Sequence, residues 1–234
     1  MHAAHRPHSL CTRSCPMSRI FGCAVITAAL MLSSLTAGAA GIAPSATEIS
    51  PILLGSTLPD PALRDRDDQP TTLHKVVDGK PAVLVFYRGG WCPFCNVQLS
   101  ELREIHPELT TLGYQLIAIS PDLPAELNKT LGKDQLDYTL VSDSSTAAVS
   151  AFGIGYTVED SLVARYRIGG IDLEKASGET HHVLPVPSVY IVDGDGVLQF
   201  SYVHPDYKVR APGQVILAAA REIAKQTHKL HPKR

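Results

Sequence analysis

The stretch that decides the fold is AVLVFYRGGWCPFCN, residues 82–96. Residues 82–87 form an unbroken apolar run rich in valine and aromatic side chains, the composition of a strand covered on both faces. Two glycines interrupt the run, and Cys92 and Cys95 follow behind Trp91. Pro93 suits the first position of a helix, where its missing N–H would have had no partner in any case. Strand, turn and helix are therefore predicted, with Cys92 at or just before the helix N-terminus.

Downstream, Leu102, Ile105, Leu109 and Leu112 fall on one helical face, and Gly113 is a fitting stop. Pro107 is expected to kink or divide that helix. Residues 114–120 read as the next buried strand, 124–133 as a helix, 138–141 as a short strand and 145–152 as a short helix. Strands alternating with helices imply right-handed crossovers and a parallel core, an α/β fold. The segment 153–184 has no clear period, and SLVARYRI within it fits helix or strand. Residues 188–203 are two β runs around Asp-Gly-Asp-Gly, a tight antiparallel hairpin; a calcium loop would need further acidic ligands at set spacings. GQVILAAAREIAKQ closes the chain as an amphipathic helix. Upstream, residues 65–81 suggest a short hairpin or loop.

The chain has 234 residues, 44% of them hydrophobic, and a formal net charge of -2. That balance fits one folded domain and argues against nucleic-acid binding, which needs a basic stripe. Arg6, Arg13 and Arg19 precede an uncharged stretch at 20–41 that contains Ala37-Gly38-Ala39. A basic start, an apolar middle and an Ala-x-Ala site predict a secretory signal peptide over 1–39. Met17 is an alternative start, and an uncleaved anchor is the competing reading; a lipoprotein site at Cys23 lacks a preceding apolar run. The mature chain is expected to be exported, periplasmic or secreted, with no membrane segment after cleavage. A flexible N-terminal arm is expected over 40–54, the folded domain over 55–228 and a basic tail over 229–234.

Of 5 cysteines, Cys11, Cys15 and Cys23 lie in the predicted signal, leaving Cys92 and Cys95. Structural zinc needs four ligands, usually two such pairs, so no metal is expected. A purely structural disulfide would close too small a loop to remove much chain entropy. A redox pair has direct support. The helix N-terminus favours a thiolate at Cys92, and Arg88 stands nearby to reinforce it or else is a surface residue. The spacing puts both sulfurs on one helix face, within reach of a Cys92–Cys95 disulfide. Trp91 reads as packing beneath the motif. Arg165 and Arg167 read as solvent-facing, and His181, His182 and His204 as loop residues; HPDY, residues 204–207, has no assignable role.

Strand, WCPFC and helix resemble the thioredoxin-fold superfamily, a central mixed β-sheet flanked by helices. The resemblance implies that Pro187, directly before a β run, is the cis-proline facing the cysteines; an ordinary trans proline is the alternative. FYRGGWCPFCNVQLSEL, LIAISPD, LVSDSSTAAVSAFGI and LPVPSVYIVDGDGVLQFSYVHPDY more closely resemble the peroxiredoxin-like branch, which includes alkyl hydroperoxide reductase and thiol-specific antioxidant proteins. Ordinary members carry Phe-Tyr-Pro, then Thr, then the attacking Cys. Here Arg88 falls on the proline, Cys92 on the threonine and Cys95 on that cysteine, whereas thioredoxin logic makes Cys92 the nucleophile. The resemblance implies a peroxidase acting on hydrogen peroxide or organic hydroperoxides. The departures at Arg88 and Cys92 keep open an alternative, exchange with exported protein disulfides. Either cycle needs an external thiol reductant, thioredoxin-like or glutathione-like, and no cofactor.

Overall fold

A computed structural model describes residues 41–230, with side chains placed through residue 226. The predicted signal peptide, its three cysteines and the end of the basic tail lie outside the described residues. A β-hairpin, β1 (Ala62–Arg64) and β2 (Pro70–Thr72), comes first and runs into a short helix α1 (Leu73–Val77) that the sequence did not announce. Then follow β3 (Ala82–Phe86), α2 (Pro93–Thr111), β4 (Gln115–Ser120), α3 (Pro124–Asp134), β5 (Thr139–Ser142) and α4 (Ala147–Ala151). The unreadable segment resolves into β6 (Gly155–Thr157), α5 (Asp160–Ile168), α6 (Leu173–Ser177) and β7 (Val183–Pro185). The hairpin β8 (Ser188–Val192) and β9 (Leu198–Val203) and the helix α7 (Gly213–Leu230) complete the chain.

A seven-stranded sheet runs in the order β2-β1-β5-β4-β3-β8-β9. Its centre β3-β4-β5 is parallel and its flanks are antiparallel, which makes it mixed. Alternation along β3 explains the two layers. Val83, Val85 and Tyr87 face a core built with Leu99, Leu102, Ile105 and Leu109 of α2 and Ile216 and Leu217 of α7. Leu84 and Phe86 face the opposite core, with Phe152, Val149 and Tyr190. Both faces being covered, β3 is apolar throughout. In the β8–β9 turn, the Asp193 carboxylate accepts from the Asp195 and Val197 N–H groups at 2.9 and 3.0 Å, confirming a turn built by side-chain capping.

Three expectations need correction. Helix α2 is not divided at Pro107 but continues through it to Thr111. Pro107 is exposed, while Leu102, Ile105 and Leu109 anchor the helix in the core on both sides of it. Pro187 is not cis, since the described residues contain no cis peptide bond. It precedes the β8 ladder, where no N–H is demanded of it, and the trans form is the one an X-Pro bond prefers without a constraint to the contrary. The segment expected as a flexible arm is tied down. Ala43 pairs with Tyr156, Ile52 N–H donates to Phe152 O at 2.9 Å, and Ile42, Ile49 and Ile52 pack on the second core.

That second core centres on three rings: Phe152 lies 4.8 Å from Phe86 and 5.0 Å from Tyr190, centroid to centroid. Phe152→Ala is expected to cost about 3–5 kcal/mol in urea unfolding; a loss under about 1 kcal/mol would contradict this packing.

Candidate active site

Strand β3 delivers Tyr87 and Arg88 into the interior, and the chain must then turn sharply to start α2. Gly89 makes the turn at φ +148, where a side chain would be strained, and a Cβ there would fall 2.2 Å from Trp91 Nε1. Cys92 is the residue that caps α2, extended at φ -89 and ψ 114, with Pro93 next as the sequence predicted. Its carbonyl accepts from the Cys95 and Asn96 N–H groups at 3.0 and 3.1 Å, and the Asn96 amide ties back to Gly90 O at 3.0 Å. Both cysteines are free thiols and both are buried, 1% and 0% exposed.

Two guanidiniums reach the pair. Arg210, from the segment joining β9 to α7, donates to Cys95 Sγ at 3.2 Å and to Cys92 Sγ at 4.0 Å. It is held by Gln98 Oε1 at 3.1 Å and Tyr207 O at 2.9 Å. Arg88 donates to Cys92 Sγ at 4.0 Å and to the Tyr166 hydroxyl. Far from being a surface residue, Arg88 is 2% exposed, and its charge lies over the rings of Tyr207, Trp91 and Tyr166 at 4.3, 5.1 and 5.4 Å.

This setting makes one thiol acidic. Cys92 falls to about 6, first through the hydrogen bond with the Cys95 side chain, then through the Cys95 N–H and the charges of Arg88 and Arg210, against the opposing effect of burial. Cys95 is pushed well up by burial and by the same bond to Cys92. The nearest guanidinium contact falls on Cys95 although the first proton leaves Cys92. The two observations agree if the pair carries a single negative charge along an S–H···S bond that Arg210 spans. A dication between these sulfurs would meet two guanidiniums, which disfavours a zinc half-site.

Cys92, Cys95, Arg88, Trp91 and Pro93 are thus brought together, while Pro187 stands at the entry to β8 with its carbonyl accepting from His204 N–H at 3.3 Å. Arg165 and Arg167 are exposed, and Arg167 pairs with Glu174 at 3.5 Å. His181 bonds Ser144 O at 2.9 Å, His182 bonds Glu174 at 2.9 Å and His204 accepts from Asp206 N–H at 3.1 Å, all loop-building roles. Sequence reasoning missed Arg210, Gln98, Tyr166 and Tyr207. HPDY was the one available signal: its tyrosine packs on Arg88 and, at 5.7 Å, on Phe94.

A mixed sheet flanked by helices, with a cysteine pair of which one thiol is acidic opening the helix after its central strand, defines a thioredoxin-fold thiol enzyme. Residues 54–201 match the model of the AhpC/TSA family, and the chain belongs to that family. It is 26% identical over 176 residues to peroxiredoxin Bcp of Escherichia coli, covering 75% of this chain and 100% of that protein. Peroxidoxin BcpB of Mycobacterium tuberculosis superposes with a TM-score of 0.58 at 20% identity, covering 73% of this chain and 97% of that one. Reduced Prx3 of Vibrio vulnificus, solved in complex with hydrogen peroxide, gives 0.59 at 17% identity over 72% of this chain and 99% of that one. The protein is accordingly an oxidoreductase of the thiol-peroxidase kind.

Arg210→Gln removes the charge that touches both sulfurs. It is expected to raise the Cys92 midpoint by about one unit and to slow alkylation near neutrality, read from iodoacetamide rates against pH; an unchanged midpoint would remove Arg210 from the electrostatics.

Proposed function

We propose that the protein reduces hydroperoxides through a Cys92–Cys95 dithiol–disulfide cycle. The observation that carries this reading is the buried pair of free thiols reached by two guanidiniums, Arg88 at Cys92 and Arg210 at both sulfurs; the Cys95 bond and these charges together lower the pKa of the Cys92 thiol. The Cys92 thiolate attacks the O–O bond. One oxygen stays as the sulfenic acid, and the other leaves as alkoxide or hydroxide and takes a proton to become alcohol or water. Cys95 then attacks the sulfenic sulfur, forming the disulfide and releasing water. An external thiol reductant, one thioredoxin-like dithiol or two glutathione-like monothiols, supplies two electrons and two protons to restore the pair and is itself oxidised to a disulfide.

A second assignment, with Cys95 attacking, is favoured by the 3.2 Å contact from Arg210 and by the position of Cys95 in the family motif. With both sulfurs buried, a neighbouring side chain must give way before peroxide arrives, and compact hydrogen peroxide demands less movement than a bulky organic hydroperoxide. Disulfide exchange on protein clients is not favoured: thiol-disulfide oxidoreductase ResA of Geobacillus thermodenitrificans is 28% identical over 112 residues, but the family model and the relatives matched over most of their length are peroxiredoxins. Export to a periplasmic or extracellular space is part of the proposal, supported by the basic start, the apolar stretch and Ala37-Gly38-Ala39.

Purified reduced protein should consume hydrogen peroxide and form an intrachain disulfide visible by mass. The rate should rise as pH climbs through about 6 and level off above it, because the thiolate is the nucleophile. Cys95→Ser should still give one burst turnover and Cys92→Ser should abolish it; the reverse pattern assigns attack to Cys95. Full turnover in both variants would overturn the cycle. An N-terminus still at Met1 or Met17 in the protein from its own cells would overturn cleavage.

A further inference from the structure

We infer that Asp122 is a positioning residue for this thiol chemistry: a buried carboxylate that holds the Gly89–Trp91 turn, and with it Arg88, against Cys92, and whose charge opposes that of the sulfur pair. The inference rests on the cysteine pair being the reacting centre.

Asp122 lies just beyond β4, whose register pairs Ile119 with Phe86 and so brings its end beside the end of β3. It is 1% exposed. Its Oδ2 accepts the Gly90 N–H at 2.7 Å, and the Trp91 side chain bonds the same carboxyl. The fit admits no side chain at Gly89, where a Cβ would lie 2.7 Å from Asp122 Oδ1. Trp91 in turn stacks on Arg88, which reaches Cys92. A buried carboxylate thus fixes the turn, and the guanidinium it helps to place reaches the sulfur.

The charges around Asp122 come from every neighbouring element. Tyr87 and Arg88 lie at the end of β3 and Cys92 opens α2. Glu126 faces it from α3, and a cavity of about 280 Å³ that it borders also carries Lys129 and Lys133 of α3 and Asp172 and Lys175 at the start of α6. His181 and His182 line a small void on its other side. Burial pushes the Asp122 carboxyl up to about 7, with Glu126 and Cys92 adding to the rise and the Gly90 and Trp91 bonds opposing it. Thiol and carboxyl therefore titrate in neighbouring ranges, and each negative charge disfavours the other. Oxidation of the pair removes the thiolate and so favours ionised Asp122 and a firmly held turn.

The test is a titration of ultraviolet thiolate absorbance on the reduced protein, which needs no peroxide. Wild type should show a first step from Cys92, with Cys95 ionising only far above it. Asp122→Asn removes the opposing charge, so its first step should move down by a few tenths of a unit, with alkylation below that midpoint about twofold faster. Trp91→Phe keeps the charge but unties the turn that carries Arg88, so its first step should move to higher pH. An Asp122→Asn curve that superimposes on wild type overturns the inference; if that variant does not fold, an unchanged Trp91→Phe curve does so. Failure to consume peroxide would instead overturn the peroxidase reading and leave these curves to judge Asp122.

Discussion

One negative charge is held on two buried sulfur atoms, and the site is arranged to tolerate it. A buried anion without partners would recapture its proton. Here the second thiol and the Cys95 N–H donate to the first, and Arg88 and Arg210 bring positive charge. The arginines are themselves compensated, Arg88 by three aromatic faces and Arg210 by Gln98 and a main-chain carbonyl. Removing any one partner leaves a buried charge short of a contact, so the effects of single substitutions in this cluster should not add.

The sheet is what makes these partners meet. Strand β3 sits between β4 and β8, so the chain leaving it is flanked by the segments that follow β4 and precede β8. The chain leaving β9 brings Arg210 back across the mouth of α2, and α5 lays Tyr166 on Arg88 and Trp91. Helices α2 and α7 share one core with Val83 and Val85, which fixes the angle at which α2 presents Cys92.

How much of this was legible beforehand depended on range. The apolar run 82–87, Pro93 and the cysteine spacing are local signals, and they placed strand, turn and helix correctly. Pro107 misled because a propensity was read without knowing that its face is exposed and that its neighbours are anchored. Residues 41–54 misled because loop-like composition says nothing about a ready-made groove to lie in. Arg210 was invisible, since it stands 115 residues from Cys95 and carries no motif of its own. Arg88 was read as either useful or superficial, and only the rings of Tyr166 and Tyr207, both distant in sequence, decide between the two.

The stitched N-terminal segment separates the border of family likeness from the border of the physical body. The family match begins at residue 54, yet Ile42, Ile49 and Ile52 already fill one face of the second core and Ala43 is already paired. A polypeptide trimmed to the shared region would bare an oily seam along Phe152 to Gly155, an invitation to self-association. What reads as a loose arm is the hem that closes the garment.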